Sequence, residues 1–252
     1  MKHIPNMITL CNLLAGCLAI VFILQTGESI VMLNGNECVL YLPEKITWGA
    51  LCIFIAAIID FVDGFIARLF KASSELGKQL DSLCDIVSFG VAPACILYQL
   101  LRLSYAQQPN GLDVPILYLL PALLFPLAAA YRLATFNVDT RQVYGFVGLP
   151  TPAAALVIAS LPFIMHYNSF NLSTLLLNKW LLYAVILTFS FLMISPIPLI
   201  SLKIKPGGLK VNIDKIFLIL LSIIAGIFFQ WLAVSIMLIV YIGLSLCLQK
   251  NK

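Results

Sequence analysis

Four aspartates lie in one short stretch, although the whole chain has only 11 acidic residues: Asp60, Asp63, Asp81 and Asp85. Asp60 directly follows an apolar run, so the group begins where a membrane-embedded segment would end. One unpaired charge at the centre of a membrane helix costs about 2.5–3.5 kcal/mol on insertion scales, so four carboxylates need compensation. Hard divalent cations such as Mg²⁺, Mn²⁺ or Ca²⁺ bind carboxylate oxygens, and the pattern predicts a site for a pair of such ions.

Helical spacing places these carboxylates on two faces that can meet. The first face would carry two aspartates and two small residues, at intervals of three and four positions: Asp60, Asp63, Gly64 and Ala67. The second face would carry Gly77, Asp81 and Asp85 at intervals of four. The segment 70–76 between them contains Ser73 and Ser74 and can turn the chain. We therefore expect two antiparallel helices that point their carboxylates into one cleft.

Small and cationic residues beside the aspartates favour chemistry on a pyrophosphate. Gly64, Ala67 and Gly77 leave room for a ligand, and Arg68 supplies a cation for a phosphate group. The alternative is an ion-coupled transporter, which also places carboxylates inside the membrane. A zinc site is not indicated, because both histidines lie far from the aspartates in sequence and the seven cysteines form no CxxC pair.

The elements that must position this cluster are membrane helices. The chain is 62% hydrophobic and only 10% charged, whereas a soluble domain has about a quarter charged residues. Apolar segments of about 20 residues predict an all-α, polytopic transmembrane bundle of about eight spans, in a single domain over 1–252. The spans are predicted at 7–25, 47–69, 81–101, 115–134, 148–166, 179–199, 213–229 and 231–249, the last two as a tight hairpin.

Charge placement predicts the orientation of this bundle. Twelve lysines and arginines fall in one set of alternating loops, and only Lys45, Arg102 and Lys179 fall in the other. Because positively charged loops face the cytoplasm, both termini and the aspartates are expected on the cytoplasmic side of the cell (inner) membrane, with 26–46 outside. Residues 14–17 resemble a lipoprotein signal, but the apolar run continues beyond them, which favours a spanning helix. Trp180 and Trp231 are expected in the interfacial belt.

From Asp60 to Asp85 the sequence reads D-x2-D-G-x2-A-R-x8-G-x3-D-x3-D, which resembles the signature of the CDP-alcohol phosphatidyltransferase family at all eight fixed positions. The resemblance implies a membrane transferase of phospholipid biosynthesis that acts on CDP-diacylglycerol, with a six-helix core followed here by two C-terminal helices. It implies that Asp60, Asp63 and Asp81 bind two divalent ions, while Asp85 lies near the metal and acts as general base. It assigns the nucleotide and its phosphates to Gly64, Ala67, Arg68 and Gly77.

Further stretches resemble the branch of the family that uses serine as the acceptor: 4–12, 88–94, 132–137 and 148–155. This resemblance implies transfer of the phosphatidyl group to L-serine with release of CMP, and no nucleic-acid partner. Another acceptor, such as glycerol phosphate, inositol phosphate or choline, is the alternative. Thr135 departs from the pattern, since a second arginine is commoner there. The oligomeric state is left open, and a homodimer is one arrangement that fits.

The carboxylate of serine would lie beside an anionic pyrophosphate, so a further cation is needed. Lys78, Arg132 and Arg141 are the candidates on the cytoplasmic side. Lys78 is offset by about 100° from the helix face of Asp81, so we prefer Arg132, with Asn137 shortly after it. In the alternative interpretation the arginines only set the orientation, Asn12 is a cap or a helix–helix contact, and 148–155 is a kink.

Overall fold

The computed structural model describes residues 4–25, 27–33, 36–42, 45–70, 74–108, 114–138, 146–168, 170–199 and 213–249. Its framework is α-helical, as the apolar segments predict. The helices are α1 (Ile4–Leu24), α2 (Ile46–Leu69), α3 (Glu75–Asp85), α4 (Ala92–Ala106), α5 (Leu124–Val138), α6 (Thr151–Tyr167), α7 (Ser173–Leu176), α8 (Lys179–Ile194), α9 (Ile213–Phe229) and α10 (Leu232–Gln249).

Three of the described helical stretches are long and apolar enough to cross a membrane: Pro5–Leu24, Ile46–Ala67 and Glu75–Ala106. Shorter apolar helices follow at Thr151–Tyr167, Lys179–Ile194 and Leu232–Leu246. Large apolar side chains point outward from these helices, and Phe61 of α2, for example, is 71% exposed. Such a surface is suited to contact with lipid tails, which agrees with the prediction of a membrane bundle.

α1 lies at the centre of the helices that carry the aspartates, since it packs against α2, α3 and α4. Small residues allow the close approach of α1 and α2, with Ala15 and Ala19 both buried. A Cβ added at Gly49 of α2 would lie 2.8 Å from the carbonyl oxygen of Ala19. Small residues at a crossing let two membrane helices pack backbone to backbone, so this crossing holds α2 tightly against α1.

The helix that carries Asp81 and Asp85 is continuous with α4 but not uniform. A π-helical segment, Ile86–Val91, begins directly after Asp85 and joins α3 to α4. A π-helical turn takes up more residues than an α-helical turn, so it shifts the faces of α4 relative to those of α3. Gly90 in this segment permits close contact with α5, because an added Cβ would lie 3.3 Å from the Cβ of Ala129.

The segment between α1 and α2, predicted as an outward-facing loop, contains an antiparallel hairpin. Strand β1 (Gly27–Leu33) pairs with β2 (Asn36–Leu42) along its whole length. The hydrophobic runs in this segment are too short for a membrane helix, and hydropathy alone did not separate a hairpin from a loop. The predicted loop is therefore corrected to a hairpin, while the all-α framework of the bundle is as predicted.

The span predicted at 115–134 is α-helical only from its second half onward. It begins with two 3₁₀ turns, Ile116–Tyr118 and Leu120–Leu123, and α5 starts after them. Pro121 lies inside the second turn and Pro115 directly before the first. Because proline lacks the backbone N–H that an α-helix needs beyond its first turn, the regular helix forms only further on.

The run 148–155 forms the entry to α6 and not a kink inside a helix. Gly148 has φ 78°, and a Cβ there would lie 2.7 Å from the carbonyl oxygen of Met193, so the turn requires glycine. Short strands β3 (Phe146–Val147) and β4 (Pro198–Leu199) pair beside it. The helix then starts at Thr151, which is fully buried. The turn thus delivers a polar side chain to the interior of the bundle.

The two C-terminal helices form the predicted tight hairpin, with Gln230 at its turn in a left-handed conformation (φ 49°). Trp231 follows and stacks on Phe163 of α6 at a centroid distance of 4.1 Å, with Phe54 of α2 at 5.4 Å. Its ring is half-buried, and its predicted place in the interfacial belt stays a prediction. Trp180, by contrast, is 71% exposed. Trp231 is therefore a packing contact that joins the hairpin to the rest of the bundle.

Candidate active site

Three of the four aspartates converge in space. One carboxylate oxygen from each of Asp60, Asp63 and Asp81 lies within 4.8 Å of the others. Asp63 is 5% exposed, and its Oδ2 has no hydrogen-bond partner among the residues that the structure describes. Carboxylates this close repel one another unless a cation lies between them. The donor set, oxygen only and acidic, therefore suits a hard divalent ion.

The first turns of α3 fix where Asp81 falls. Ser74 caps the helix by accepting a hydrogen bond from the Gly77 N–H at 3.0 Å, and Glu75 places a negative charge in the first turn. Both features stabilise a helix N-terminus. On α1, the Thr9 hydroxyl donates to the Pro5 carbonyl at 3.0 Å and is buried. Since α1 packs against both α2 and α3, it holds the two aspartate-bearing helices in one place.

A cavity of about 430 Å³ opens beside the aspartates. Asp63 and Asp81 line it, and so do the three small residues that the sequence singles out: Gly64, Ala67 and Gly77. A Cβ added at Gly64 would meet no heavy atom of the described chain within 4 Å. The glycine therefore borders open space, whereas a glycine selected for helix packing would border another helix. The volume lies within the range of small-molecule sites.

Lys78 lines the same cavity, together with Glu75 and Gly77. The offset of about 100° from the face of Gly77, Asp81 and Asp85 made Lys78 a weaker candidate, and the structure corrects this. The cavity borders one broad face of α3, which is wide enough to include Lys78 as well as Asp81. Arg68 lies near the end of α2, but its side chain is outside the described residues. Arg141 also lies outside the described residues.

Asp85 lies one turn beyond Asp81 and is not one of the three converging carboxylates. It is 7% exposed, and its Oδ1 accepts a hydrogen bond from Nδ2 of Asn12 at 3.2 Å. Asn12 itself is fully buried on α1. The carboxylate still interacts electrostatically with the other three aspartates. Asp85 thus links the aspartate cluster to a buried polar centre, which lies away from the open cavity and consists of Asn12, Asp85, Arg132 and Thr151.

Arg132 belongs to that buried centre and does not line the cavity. Its Nη1 donates to the Thr151 hydroxyl at 3.1 Å, and its guanidinium lies 5.8 Å from the ring centre of Phe136. The side chain is 7% exposed, its Nε has no partner among the described residues, and it interacts electrostatically with Asp85. A buried guanidinium is stabilised by negative charge nearby, and the interaction with Asp85 contributes such stabilisation without a direct ion pair among the contacts described.

Asn137 lies on the exposed side of the same region. Its Nδ2 donates to the Ser82 hydroxyl at 2.8 Å, and Ser82 donates in turn to the Lys78 carbonyl at 3.2 Å. The contact ties the end of α5 to α3, one residue from Asp81. Asn137 is thus close to the aspartates in structure, although it is not among the residues that line the cavity.

Three of these polar partners were not predicted to belong to the site: Asn12, Thr151 and Ser82. Asn12 and Thr151 did stand inside stretches that resemble the serine-using branch, so a signal existed at the level of the stretch. No signal marked the individual partners, because Asn12 and Asp85 are 73 positions apart in the chain. Contacts of that separation depend on how the helices pack.

Comparison with known proteins agrees with this geometry. A family model described as CDP-alcohol phosphatidyltransferase matches residues 2–194, which include every aspartate of the cluster and the buried polar centre. Proteins named CDP-diacylglycerol–serine O-phosphatidyltransferase are similar to the chain in several organisms. The one from Bacillus subtilis is 30% identical over 184 residues, which is 71% of this chain and 89% of that protein.

Two further relatives with the same name cover less of their own length. The protein of Methanocaldococcus jannaschii is 38% identical over 124 residues, 49% of this chain and 54% of the relative. The protein of Mycobacterium leprae is 33% identical over 178 residues, 68% of this chain and 54% of the relative. In both cases the match spans about half of the curated relative.

Proposed function

The chain belongs to the CDP-alcohol phosphatidyltransferase family, and we propose that it transfers the phosphatidyl group of CDP-diacylglycerol to L-serine, forming phosphatidylserine and CMP. The observation that carries the proposal is the convergence of Asp60, Asp63 and Asp81 beside a cavity lined by small residues. Membership of the family makes the protein a membrane transferase of phospholipid biosynthesis. The choice of serine is supported by the names of the relatives and by the stretches described above.

The residues present fit a divalent metal site. Asp60, Asp63 and Asp81 would hold the metal, with Asp85 nearby, and the unpaired Oδ2 of Asp63 is an oxygen that a cation would satisfy. When bound, Mg²⁺, Mn²⁺ or Ca²⁺, as one ion or a pair, supplies positive charge to the pyrophosphate oxygens and to the departing CMP. A site at the end of the apolar part of α2 lets the acyl chains stay in lipid while the pyrophosphate reaches the carboxylates.

The cavity beside the cluster would receive the nucleotide. Gly64 and Ala67 would border the cytidine, because their small side chains leave the wall of the cavity open. Gly77 would allow a phosphate to approach the start of α3, where Lys78 also lines the cavity. Arg68 would bind a phosphate, as the family motif implies for that position.

Asp85 would act as the general base on serine. The serine oxygen forms the new bond to the phosphorus of the phosphatidyl group, the bond from that phosphorus to CMP breaks, and the hydroxyl proton passes to Asp85. A serine hydroxyl is a poor nucleophile at neutral pH, and a positioned base accelerates such a step about 10²–10⁴-fold. The buried position of the carboxylate, beside the other three aspartates, supports this role.

The carboxylate of serine would be bound by Arg132, with Asn137 and Lys78 as further polar groups on that side. Arg132 is a buried cation that interacts electrostatically with Asp85, and its Nε has no hydrogen-bond partner among the described residues. An unpaired buried donor is costly unless a ligand or water satisfies it, which favours a ligand at this point. We further propose that this side of the bundle, with both termini, faces the cytoplasm, as the twelve cations on one set of loops predict.

The test is an assay of the purified protein in lipid nanodiscs for release of CMP from CDP-diacylglycerol, with and without serine and with a chelator. We expect release that requires both serine and metal, and labelled serine should enter the lipid. Glycerol phosphate, inositol phosphate and choline are offered separately, and preference for one of these would change the acceptor but keep the family chemistry. Ion flux in liposomes without release of CMP would instead indicate a transporter.

A further inference from the structure

Asn12 contacts the proposed base in a way that fixes the direction of its carboxylate. Nδ2 of Asn12 donates to Oδ1 of Asp85 at 3.2 Å, and both side chains are buried. A carboxylate with one oxygen bound to a fixed donor cannot rotate freely, so the other oxygen points in a defined direction. We infer that Asn12 is a positioning residue that orients Asp85 for the transfer step and does not itself bind either substrate. This inference rests on the proposed function, in which Asp85 accepts the serine proton.

A second contact holds the backbone of Asn12 in register with the helix of Asp85. The Ser88 hydroxyl donates to the Asn12 carbonyl at 3.0 Å. One turn further along α1, a Cβ added at Gly16 would meet the hydroxyl of Ser88 and would lie 2.8 Å from its Cα, so only the absence of a side chain at Gly16 lets the two segments pack this closely. Two fixed points one turn apart on α1 define the position of the Asn12 amide relative to Asp85.

The π-helical segment provides the surface for this contact. It starts at Ile86, directly after Asp85, and it contains Ser88. Segments of π-helix are costly and occur frequently at functional sites. By shifting the helix faces after Asp85, the segment presents Ser88 to α1 while Gly90 packs against Ala129 of α5. Asp85 is therefore positioned by two features. The amide of Asn12 binds its carboxylate, and the π-helical segment that follows it in the chain packs against both α1 and α5.

The hydrogen bonding of Asn12 argues against a purely stabilising role. A carboxylate only accepts hydrogen bonds, so the amide nitrogen must face Asp85 and the Oδ1 of Asn12 must face away. That Oδ1 is buried and has no partner among the described residues. A buried unpaired carbonyl costs stability. An apolar side chain at position 12 would avoid the cost of the unpaired carbonyl. It would, however, lack the N–H group that donates to Asp85.

The test measures kcat and KM separately for Asn12→Leu in the full-length protein in nanodiscs. We expect kcat for serine-dependent CMP release to fall about 10²-fold, because small displacements of a reacting group have effects of that size. The KM for serine and the metal-dependent binding of CDP-diacylglycerol should stay within about twofold of the wild type.

Gln99→Leu is the matched control, because Gln99 is also a buried amide that donates to α1, at the Ile23 carbonyl (3.0 Å), at the other end of the helix. It should leave kcat within about threefold of the wild type. Equal losses of kcat in Asn12→Leu and Gln99→Leu would overturn the inference, since they would reflect general loosening of α1. So would wild-type kcat in Asn12→Leu, or a loss that appears only in KM.

A second pair of variants tests the register and does not depend on Asn12→Leu folding. Gly16→Ala and Gly49→Ala each place a Cβ 2.8 Å from a backbone atom across an α1 interface, at Ser88 Cα and at the Ala19 carbonyl respectively. Only Gly16→Ala should lower kcat strongly, and similar kcat values in the two would contradict the inference. Failure of the proposed function is distinguishable, because it would appear in the wild type as absence of serine-dependent CMP release.

Discussion

The two regions on either side of the aspartate cluster differ in almost every physical respect. The cavity side is open and is bordered by glycine, alanine and the exposed Lys78. The side of Asp85 is buried, and its side chains make directional hydrogen bonds, as between Asn12 and Asp85 and between Arg132 and Thr151. Yet Asp81 and Asp85, which face these two regions, are only one helical turn apart.

This difference matches the two substrates that the proposal assigns to the site. CDP-diacylglycerol is large and stays partly in lipid, so its nucleotide needs room more than it needs many directional contacts. Serine is small, and its reaction depends on the exact direction of one hydroxyl, so it needs fixed polar groups. An open cavity can tolerate rotation of a ligand, whereas a buried hydrogen-bonded centre cannot.

The largest loss of activity is expected from removing a proposed metal ligand, because both regions depend on the metal. Asp60→Ala should lower the rate of CMP release by about 10³-fold or more, because stabilisation by the metal is worth several kcal/mol. It should also abolish metal-dependent binding of CDP-diacylglycerol. A titration with Mn²⁺, followed by liponucleotide binding, measures both. A titration curve that matches the wild type would remove Asp60 from the metal site.

Asp85→Asn should impair the function of the buried side and leave that of the cavity side intact. We expect the rate to fall about 10²–10⁴-fold, because the isosteric amide cannot accept the serine proton. Binding of CDP-diacylglycerol should remain largely intact, since Asp85 is outside the group of three carboxylates. Single-turnover CMP release and equilibrium binding on the same preparation are the measurements. Near wild-type turnover would exclude Asp85 as the base.

Gly64→Leu should affect only the cavity side. The leucine would occupy space that the cytidine needs, so binding of CDP-diacylglycerol should weaken more than about tenfold while the protein stays folded. Gly243→Leu in α10 is the matched control, because a Cβ at that helical glycine also meets no described heavy atom within 4 Å. If Gly64→Leu lowered the thermal stability of the protein together with its binding of CDP-diacylglycerol, Gly64 would instead have a packing role.

Arg132→Ala should affect only the buried side. The KM for serine should rise more than about tenfold, which corresponds to about 1.4 kcal/mol of lost binding. The KM for CDP-diacylglycerol should change less. Initial rates at varied serine in correctly inserted protein decide the question. An unchanged serine KM would mean that the carboxylate is bound elsewhere.

The smallest effect is expected from Thr151→Val, which keeps the guanidinium of Arg132 but removes its hydrogen-bond partner. One such bond is worth about 0.5–1.5 kcal/mol, so the serine KM should rise about threefold. The same kinetic assay applies. A larger effect than that of Arg132→Ala would show that Thr151 has a role of its own.

The sequence predicted the parts of the site that depend on local spacing. Intervals of three and four positions placed Asp60 and Asp63 on one helix face, and Gly77 and Asp81 on another. In the structure the three aspartates form one cluster. Asp63, Gly77 and Asp81 also line the same cavity. Helix bounds were close for α1, α2, α6 and α10, where one apolar run sets both ends, but not at 115–134, where prolines delay the start of α5.

The parts that escaped prediction depend on packing between distant segments. The regular spacing of Asp81 and Asp85 implied one shared environment, but the π-helical segment and the packing of α1 give Asp85 a buried partner of its own. The position of Thr151 beside Arg132 depends on the turn at Gly148, which no periodicity reveals. The β1–β2 hairpin was missed because alternation in so short a segment is weak.

The stacking of Trp231 on Phe163 has a consequence for synthesis of the chain. The ring of Trp231 packs against residues of α2 and α6, both of which leave the ribosome well before it. Domains emerge from their N-terminal end onward. Until residue 231 is translated, the face of Phe163 therefore lacks the ring that stacks on it in the finished bundle. The contact of the C-terminal hairpin with α2 and α6 can form only after both of those helices have been synthesised.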